Sequence, residues 1–175
     1  MTLRLHYAPD NASLCVRRAL ALADAPSEAA AILLWLAGRY PEAGLKLDGP
    51  GKGRLVWMSN ALDPALRMIF YPDSRPPTDG LSEAGAARAT ALFDIAEARL
   101  PGAPLLDCCL CPMLRWSVLY PAGSRRWFHL DRWPRLAARG RHVEERPAAA
   151  CNAEGLGPLP FAAPRLPQPP EGSAT

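Results

Sequence analysis

The sequence predicts a mainly α-helical protein, and two observations lead to that class. Several segments carry apolar residues at helical spacing and stop at a proline or glycine. The alternation of apolar and polar residues that is typical of a strand is clear only in residues 3–7. Because 49% of the 175 residues are apolar and 21% are charged, we expect a packed core rather than wholesale disorder.

The predicted strand has no visible partner in the sequence. Residues 3–7 predict this short strand, residues 8–13 a turn-rich loop and residues 14–24 a helix. No second convincing strand signal occurs in the first fifty positions. A lone strand has no neighbour for its backbone N–H and C=O groups. The sequence therefore predicts only an α+β remnant ahead of a larger helical part.

Residues 26–45 contain an amphipathic helix by the same criteria. Ser27 follows a proline and is a good N-cap, and Glu28 places a negative charge in the first turn. The predicted core face consists of Leu33, Leu36, Ala37 and Tyr40. We expect the helix to stop at Tyr40, because Pro41 disfavours the α conformation of the residue before it.

Four more helices are predicted after residues 46–53, which are rich in glycine and indicate a linker. The first is expected to bend at Pro64. Its stripe consists of Leu55, Met58, Leu62, Leu66 and Ile69. The second, residues 81–100, stops before proline and glycine. Its core face consists of Ala89, Leu92, Phe93, Ala96 and Leu100.

The last two helices are predicted for residues 107–120 and 131–146. The second of them opens with Trp133 and Pro134 in its first turn, where proline is tolerated. Gly140 in its interior costs roughly 1 kcal/mol relative to alanine. From residue 158 onward, six prolines and few apolar anchors predict an extended or disordered segment.

Charge and hydropathy argue against two classes of partner. The net charge of +3 is modest and the basic residues form no stripe, so we expect no nucleic-acid binding. There is no stretch of eighteen apolar residues and no secretory leader pattern, so we expect no membrane span. The expected location is the cytoplasm.

The five cysteines leave two interpretations open. Cys108 and Cys111 have the spacing of a redox pair or of half a zinc site, with Cys109 between them. The same residues lie in an apolar helical segment, where buried free cysteines are common. His6, His129 and His142 show no ligand spacing. We therefore favour core packing and expect no bound metal.

The amino-acid sequences of two segments resemble those of one protein family. Residues 28–42, EAAAILLWLAGRYPE, resemble the E-[ST]-x-A-I-L-x-x-L-A-x-x-Y-P segment of cytosolic glutathione transferases. Residues 57–75, WMSNALDPALRMIFYPDSR, are similar to the first long helix of the C-terminal domain in proteobacterial members. The resemblance runs from residue 3 to about residue 161 with two gaps, and the order of its pieces is that of the family.

This resemblance implies a division of the chain. Residues 1–45 would be a truncated thioredoxin-like segment of β-α…α type, and residues 46–53 a linker. Residues 54–157 would be the all-helical C-terminal domain, followed by a proline-rich tail in residues 158–175. Between the first two helices the family has three more strands and a helix. On the order of forty residues of its usual sheet domain therefore have no counterpart here.

The resemblance also implies a site for glutathione as co-substrate. Ser13 would stabilise the thiolate, with Asn11 or Tyr7 in its place if Ser13 does not. Glu28 would hold the cationic amino group of the ligand. Ala29 stands where the family has a serine or threonine that grips the ligand carboxylate. An apolar pocket for a small electrophile would be lined by Trp57, Phe70, Tyr71, Trp116 and Tyr120.

The function implied is transfer of the glutathione thiolate to an electrophile, impaired by the missing strands and by Ala29. Two alternatives stay open at this stage. One is a non-catalytic helical module that binds partners or forms a homodimer. The other is a decayed or mis-assembled reading frame. A working glutathione site would distinguish the transferase from the non-catalytic module. Cooperative folding would distinguish both of these from a decayed reading frame.

Overall fold

A computed structural model describes residues 29–70, 80–120, 127–145 and 161–162. Six α-helices lie in these residues, and we number them α1 Ala29–Arg39, α2 Gly49–Trp57, α3 Asp63–Phe70, α4 Leu81–Arg99, α5 Pro104–Leu119 and α6 Pro134–Glu144. Two 3₁₀ turns, Pro41–Ala43 and Leu130–Arg132, and a π-helical turn, Met58–Leu62, connect or precede them. No strand occurs in the described ranges, so the mainly helical prediction is confirmed. The predicted strand and first helix, residues 3–7 and 14–24, lie outside them, and the thioredoxin-like remnant stays a prediction.

Helix α1 ends where the sequence predicted. The amide of Tyr40 still bonds to the carbonyl of Leu36 at 2.9 Å, and Pro41 then starts the 3₁₀ turn. Gly44 closes that turn with a positive φ of 67°, a conformation that favours glycine. Three residues of the predicted face are buried and confirm it, Leu33, Leu36 and Ala37.

Helix α2 begins at Gly49, inside the predicted linker and earlier than the sequence indicated a helix. Asp48 is the N-cap of α2, and its carboxylate accepts the amide of Gly51 at 2.7 Å. A Cβ on Gly51 would lie 2.9 Å from that carboxylate oxygen, so any larger residue there would displace the Asp48 side chain from its present position. Leu45 and Leu47 ahead of the cap are buried. The glycine-rich composition therefore marks a helix start, while the division into domains stays a prediction.

Helices α2 and α3 form one run through the π-helical turn. The amide of Asp63 bonds to the carbonyl of Met58, five residues back. Pro64 follows and has no N–H to donate to Asn60, and a wider turn gives its ring room. A π turn thus lies where a bend at Pro64 was predicted. All five residues of the predicted stripe are buried, which confirms it.

Helix α5 is buried along most of its length. Its start is at Pro104 rather than at the predicted Asp107, because Ala103 is an extended N-cap and proline fits the first turn. The helix continues through Pro112, and the hydroxyl of Ser117 donates to the carbonyl of Met113 at 2.7 Å. It packs against α2, α3 and α6.

Helix α6 is shorter than predicted. A 3₁₀ turn occupies residues 130–132, and α6 starts only at Pro134. Trp133 separates the two with φ −121° and ψ 76°, because a residue before proline is pushed out of the α region. Helix α4 matches its prediction, and the five residues of its predicted face are buried.

Helices α4 and α6 cap each other. The Glu97 carboxylate of α4 accepts the amides of Arg135 and Leu136 at 2.9 and 3.0 Å, at the start of α6. In return, the Arg135 guanidinium donates to the carbonyls of Glu97 and Ala98 at 2.6 and 3.3 Å, at the end of α4. Each side chain satisfies backbone groups that a helix end leaves without an intrahelical partner.

Further polar contacts join the same helices. The Asp94 carboxylate accepts the Trp133 indole N–H at 2.8 Å and pairs with Arg132 at 2.9 Å. The Arg139 Nε donates to Asp107 at 2.6 Å, and this pair joins α6 to the first turn of α5. The Arg139 and Asp107 side chains are only 14% and 13% exposed. The amino-acid sequence did not predict this pair.

Candidate functional site

Most of the predicted glutathione residues lie outside the described part of the chain. These are Tyr7, Asn11, Ser13 and Glu28. Ala29 is described: it is half-buried and lies at the start of α1. Backbone N–H groups in the first turn of a helix are natural donors to an anion such as a carboxylate. The role of all five residues in binding glutathione stays a prediction.

The structure brings two of the predicted pocket residues together. Phe70 at the end of α3 and Tyr120 just after α5 have ring centroids 5.8 Å apart, tilted by 58°. Both rings are half-buried at the edge of the core. Their contact places an aromatic pair between α3 and α5, helices that pack against each other.

The other pocket residues differ in burial. Trp57 at the end of α2 is half-buried, whereas Trp116 on α5 is only 6% exposed and belongs to the core. Tyr71 lies outside the described ranges. The role of these five residues as a pocket for an electrophile stays a prediction.

An aromatic cluster that the sequence analysis missed adjoins this pair. Phe93 has ring centroids of Phe128, Trp133 and Trp127 at 5.0, 5.2 and 6.5 Å. The indole N–H of Trp127 donates to the carbonyl of Tyr120 at 3.2 Å, which links the cluster to the pair. The sequence signal was the run of aromatic residues at 127, 128 and 133, thirty-four or more positions beyond Phe93.

Asp63 is a titratable residue that the sequence analysis also missed. It is half-buried between the π turn and Pro64. Burial raises the pKa of its carboxyl, and the nearby Arg67 charge partly opposes this rise. A carboxyl with a raised pKa can exchange a proton closer to neutral pH than an ordinary aspartate. The sequence feature that could have indicated this burial is the position of Asp63, directly before Pro64 and between apolar residues of a helix.

The cysteine cluster lies in α5. Cys109 and Cys111 are buried, Cys108 is half-buried, and none of the three forms a disulfide. Their places in the core agree with the preferred interpretation of packing. Among the described residues, no group of three or more histidine, cysteine or acidic side chains is arranged to hold a metal ion. Within the same residues, every helix is too short or too polar to cross a membrane.

No protein family, no curated protein and no solved structure matches this chain.

Proposed function

We propose that this protein is a glutathione transferase-like protein of the cytoplasm that binds glutathione at the start of α1. The observation that carries the proposal is the sequence of residues 28–42, whose apolar face and stop at Tyr40 the structure bears out. The half-buried Phe70–Tyr120 pair supports an apolar electrophile as second substrate. The three cysteines of α5, none of which forms a disulfide, agree with a reducing compartment.

The proposed reaction is nucleophilic substitution by the glutathione thiolate. The thiolate attacks the carbon of an activated aryl halide, and a C–S bond forms. The C–halogen bond breaks, and the halide leaves with the bonding electron pair, while the thiol proton has already gone to solvent. Ser13 would hold the thiolate, with Asn11 or Tyr7 as the alternative donor, and Glu28 would pair with the ligand's amino group.

The first experiment is a thermal melt of the full chain with and without millimolar glutathione. A tenfold excess of ligand over Kd stabilises by about 1.4 kcal/mol. In a chain of this size, that corresponds to a rise in Tm of roughly 3–6 °C. Glu28→Gln should abolish the rise, whereas Glu42→Gln, at an exposed carboxylate after α1, should keep it. A melt that glutathione does not move contradicts the proposal.

The second experiment separates binding from turnover. Release of halide from an activated aryl halide, dependent on both glutathione and protein, would establish the transferase activity. Phe70→Ala should raise the KM for the aryl halide and leave the KM for glutathione unchanged, because Phe70 belongs to the apolar pair. A rise in Tm with glutathione but no release of halide would support binding of glutathione and contradict the proposed transferase activity.

A second candidate is a non-catalytic helical module that binds partners or dimerises. Trp35 on α1 and Val56 on α2 favour it, because these large apolar side chains are 45% and 46% exposed on helices that contact each other. Sedimentation of the full chain tests it: a dimer that Trp35→Gln dissociates would support the module. A monomer at all concentrations would count against dimerisation.

A further inference from the structure

Phe161 is a core residue that lies far along the chain from the helices that bury it. It is 1% exposed and belongs to the same hydrophobic cluster as α1–α6. The sequence predicted an extended or disordered segment from residue 158 onward. The structure adds that the Phe161 side chain is a buried anchor, and an extended or disordered tail stays a prediction.

The backbone at Phe161 and Ala162 is held by one carboxylate. Glu144 Oε1 accepts the amide of Phe161 in a short hydrogen bond and the amide of Ala162 at 2.7 Å. Glu144 is the last residue of α6, where the helix dipole disfavours a negative charge. Two convergent amides compensate for that position, since hydrogen bonds to a charged acceptor are stronger than neutral ones.

Gly140 lets the segment approach α6 closely. A Cβ on Gly140 would lie 3.2 Å from the Ala162 Cβ and 3.4 Å from the Phe161 Cβ. Helix propensity alone shows only the cost of a glycine at this position. In the structure, one helical turn separates Gly140 from Glu144, and both contact the segment of Phe161 and Ala162. The missing Cβ of Gly140 therefore makes room for that segment.

The sequence around Phe161 permits one register on this site. Pro160 and Pro164 have no amide N–H, so a shift of one residue backward or two forward removes a donor. A shift of one residue forward keeps both donors but presents Ala162 in place of Phe161. Only the observed register combines an aromatic side chain with two consecutive amides.

We propose that the face of α6 formed by Gly140 and Glu144 is a docking site for a short aromatic segment flanked by prolines. The chain's own Phe161 and Ala162 occupy it as a detachable strap. Recognition rests on three parts: burial of the aromatic ring, a carboxylate that accepts two amides, and a helix surface without a Cβ. This docking site is independent of glutathione binding.

Amide hydrogen exchange in the full chain tests the contact directly. Gly140→Ala and Glu144→Ala should each speed exchange at the amides of Phe161 and Ala162 by at least roughly tenfold, the factor that one hydrogen bond to a charged group is worth. Glu145→Ala is the matched control, because its exposed carboxylate neighbours Glu144 and should leave both amides unchanged. Equal exchange in all variants would overturn the proposal.

A second test compares the change in Tm caused by a glycine-to-alanine substitution at two positions. Gly53 lies in α2 with nothing within 4 Å of its Cβ position. Gly53→Ala should raise Tm by about 2–4 °C, because alanine favours a helix. Gly140→Ala should give a Tm at least about 2 °C below that of Gly53→Ala in the native chain, and the gap should close when Phe161→Ala is added. Equal rises in the native chain would overturn the proposal.

Detachment is tested with a peptide of residues 158–166 added to the full-length Phe161→Ala variant. Saturable binding is expected, because the variant vacates the aromatic site. The same peptide with alanine in place of phenylalanine should not bind, and adding Gly140→Ala to the protein should weaken binding at least roughly tenfold. If the Phe161→Ala variant melts cooperatively but binds no peptide, the site is not a receptor. If that variant does not fold, Phe161 is required for the fold, and the proposal of a detachable strap is overturned.

Discussion

Helices α1, α2 and α3 are joined by one kind of contact, and helices α4 and α6 by another. Helices α1, α2 and α3 meet through aliphatic stripes, of which Leu36, Leu55 and Leu66 are at most 1% exposed. Helices α4 and α6 meet through the aromatic cluster around Phe93 and through reciprocal caps by Glu97 and Arg135. Apolar burial has no direction, whereas hydrogen bonds fix angle and register. The second joint is therefore the more specific one.

The largest effect is expected for Phe93→Ala. Removing this buried ring from three aromatic neighbours should lower the free energy of unfolding by about 3–5 kcal/mol. Leu36→Ala in the aliphatic region should cost about 2–5 kcal/mol. Urea denaturation measures both. Ile95→Ala, on the same helix and 38% exposed, is the control and should cost far less. Similar losses for Phe93 and Ile95 would show that the cluster does not hold the joint.

The next effect concerns the mostly buried pair of Arg139 and Asp107. Arg139→Met should destabilise by about 1–3 kcal/mol, because it leaves a mostly buried carboxylate without its guanidinium. Arg139→Met combined with Asp107→Leu should recover most of that loss, since no charge then remains buried. Arg141→Met, at an exposed position of α6, is the control. A double variant no more stable than the single one would argue against the pair.

A smaller effect is expected for the reciprocal caps. Glu97→Ala should cost about 1–2 kcal/mol, because the two amides at the start of α6 lose their acceptor. Glu97→Gln keeps one carbonyl oxygen and should cost less. Chemical denaturation of both variants checks the order. If glutamine costs as much as alanine, the charge and not the cap geometry stabilises the joint.

The smallest expected effect is a dependence of the free energy of unfolding on pH, caused by Asp63 at the start of α3. Burial raises the pKa of Asp63 in the folded chain, so the folded state binds that proton more tightly than the unfolded state. The stability contributed by this group is therefore present at low pH and is lost as pH rises through the raised pKa. Asp63→Asn should be more stable than the native chain at neutral pH and lose that advantage in acid. Urea melts from pH 4 to pH 7 measure it.

Arg67→Met provides the matched comparison for Asp63. The Arg67 charge partly opposes the rise in the Asp63 pKa. Its removal should raise that pKa further and extend the pH range over which stability is lost. A native chain and an Asp63→Asn variant with the same pH profile would contradict the assignment.

The candidate site shows where sequence reasoning stopped. The sequence proposed Phe70 and Tyr120 as pocket residues, and the structure brings their rings within 5.8 Å although they are fifty positions apart. It did not predict the cluster around Phe93 or the raised pKa of Asp63. Both depend on what packs around a residue, and helical spacing carries no information about that.

The order of the helices in the described residues and most of their buried faces can be predicted from the amino-acid sequence alone, whereas the starts of α2, α5 and α6 could not be. The stripe from Leu55 to Ile69 and the stop at Tyr40 depend on neighbours a few residues away, so periodicity and proline positions predict them. The meaning of Gly140 and Glu144 depends on Phe161, whose amide lies 17 residues from its acceptor. Glu97 likewise finds its amides 38 and 39 positions away. Such partners meet only when the helices pack, because their separation along the chain exceeds any local pattern.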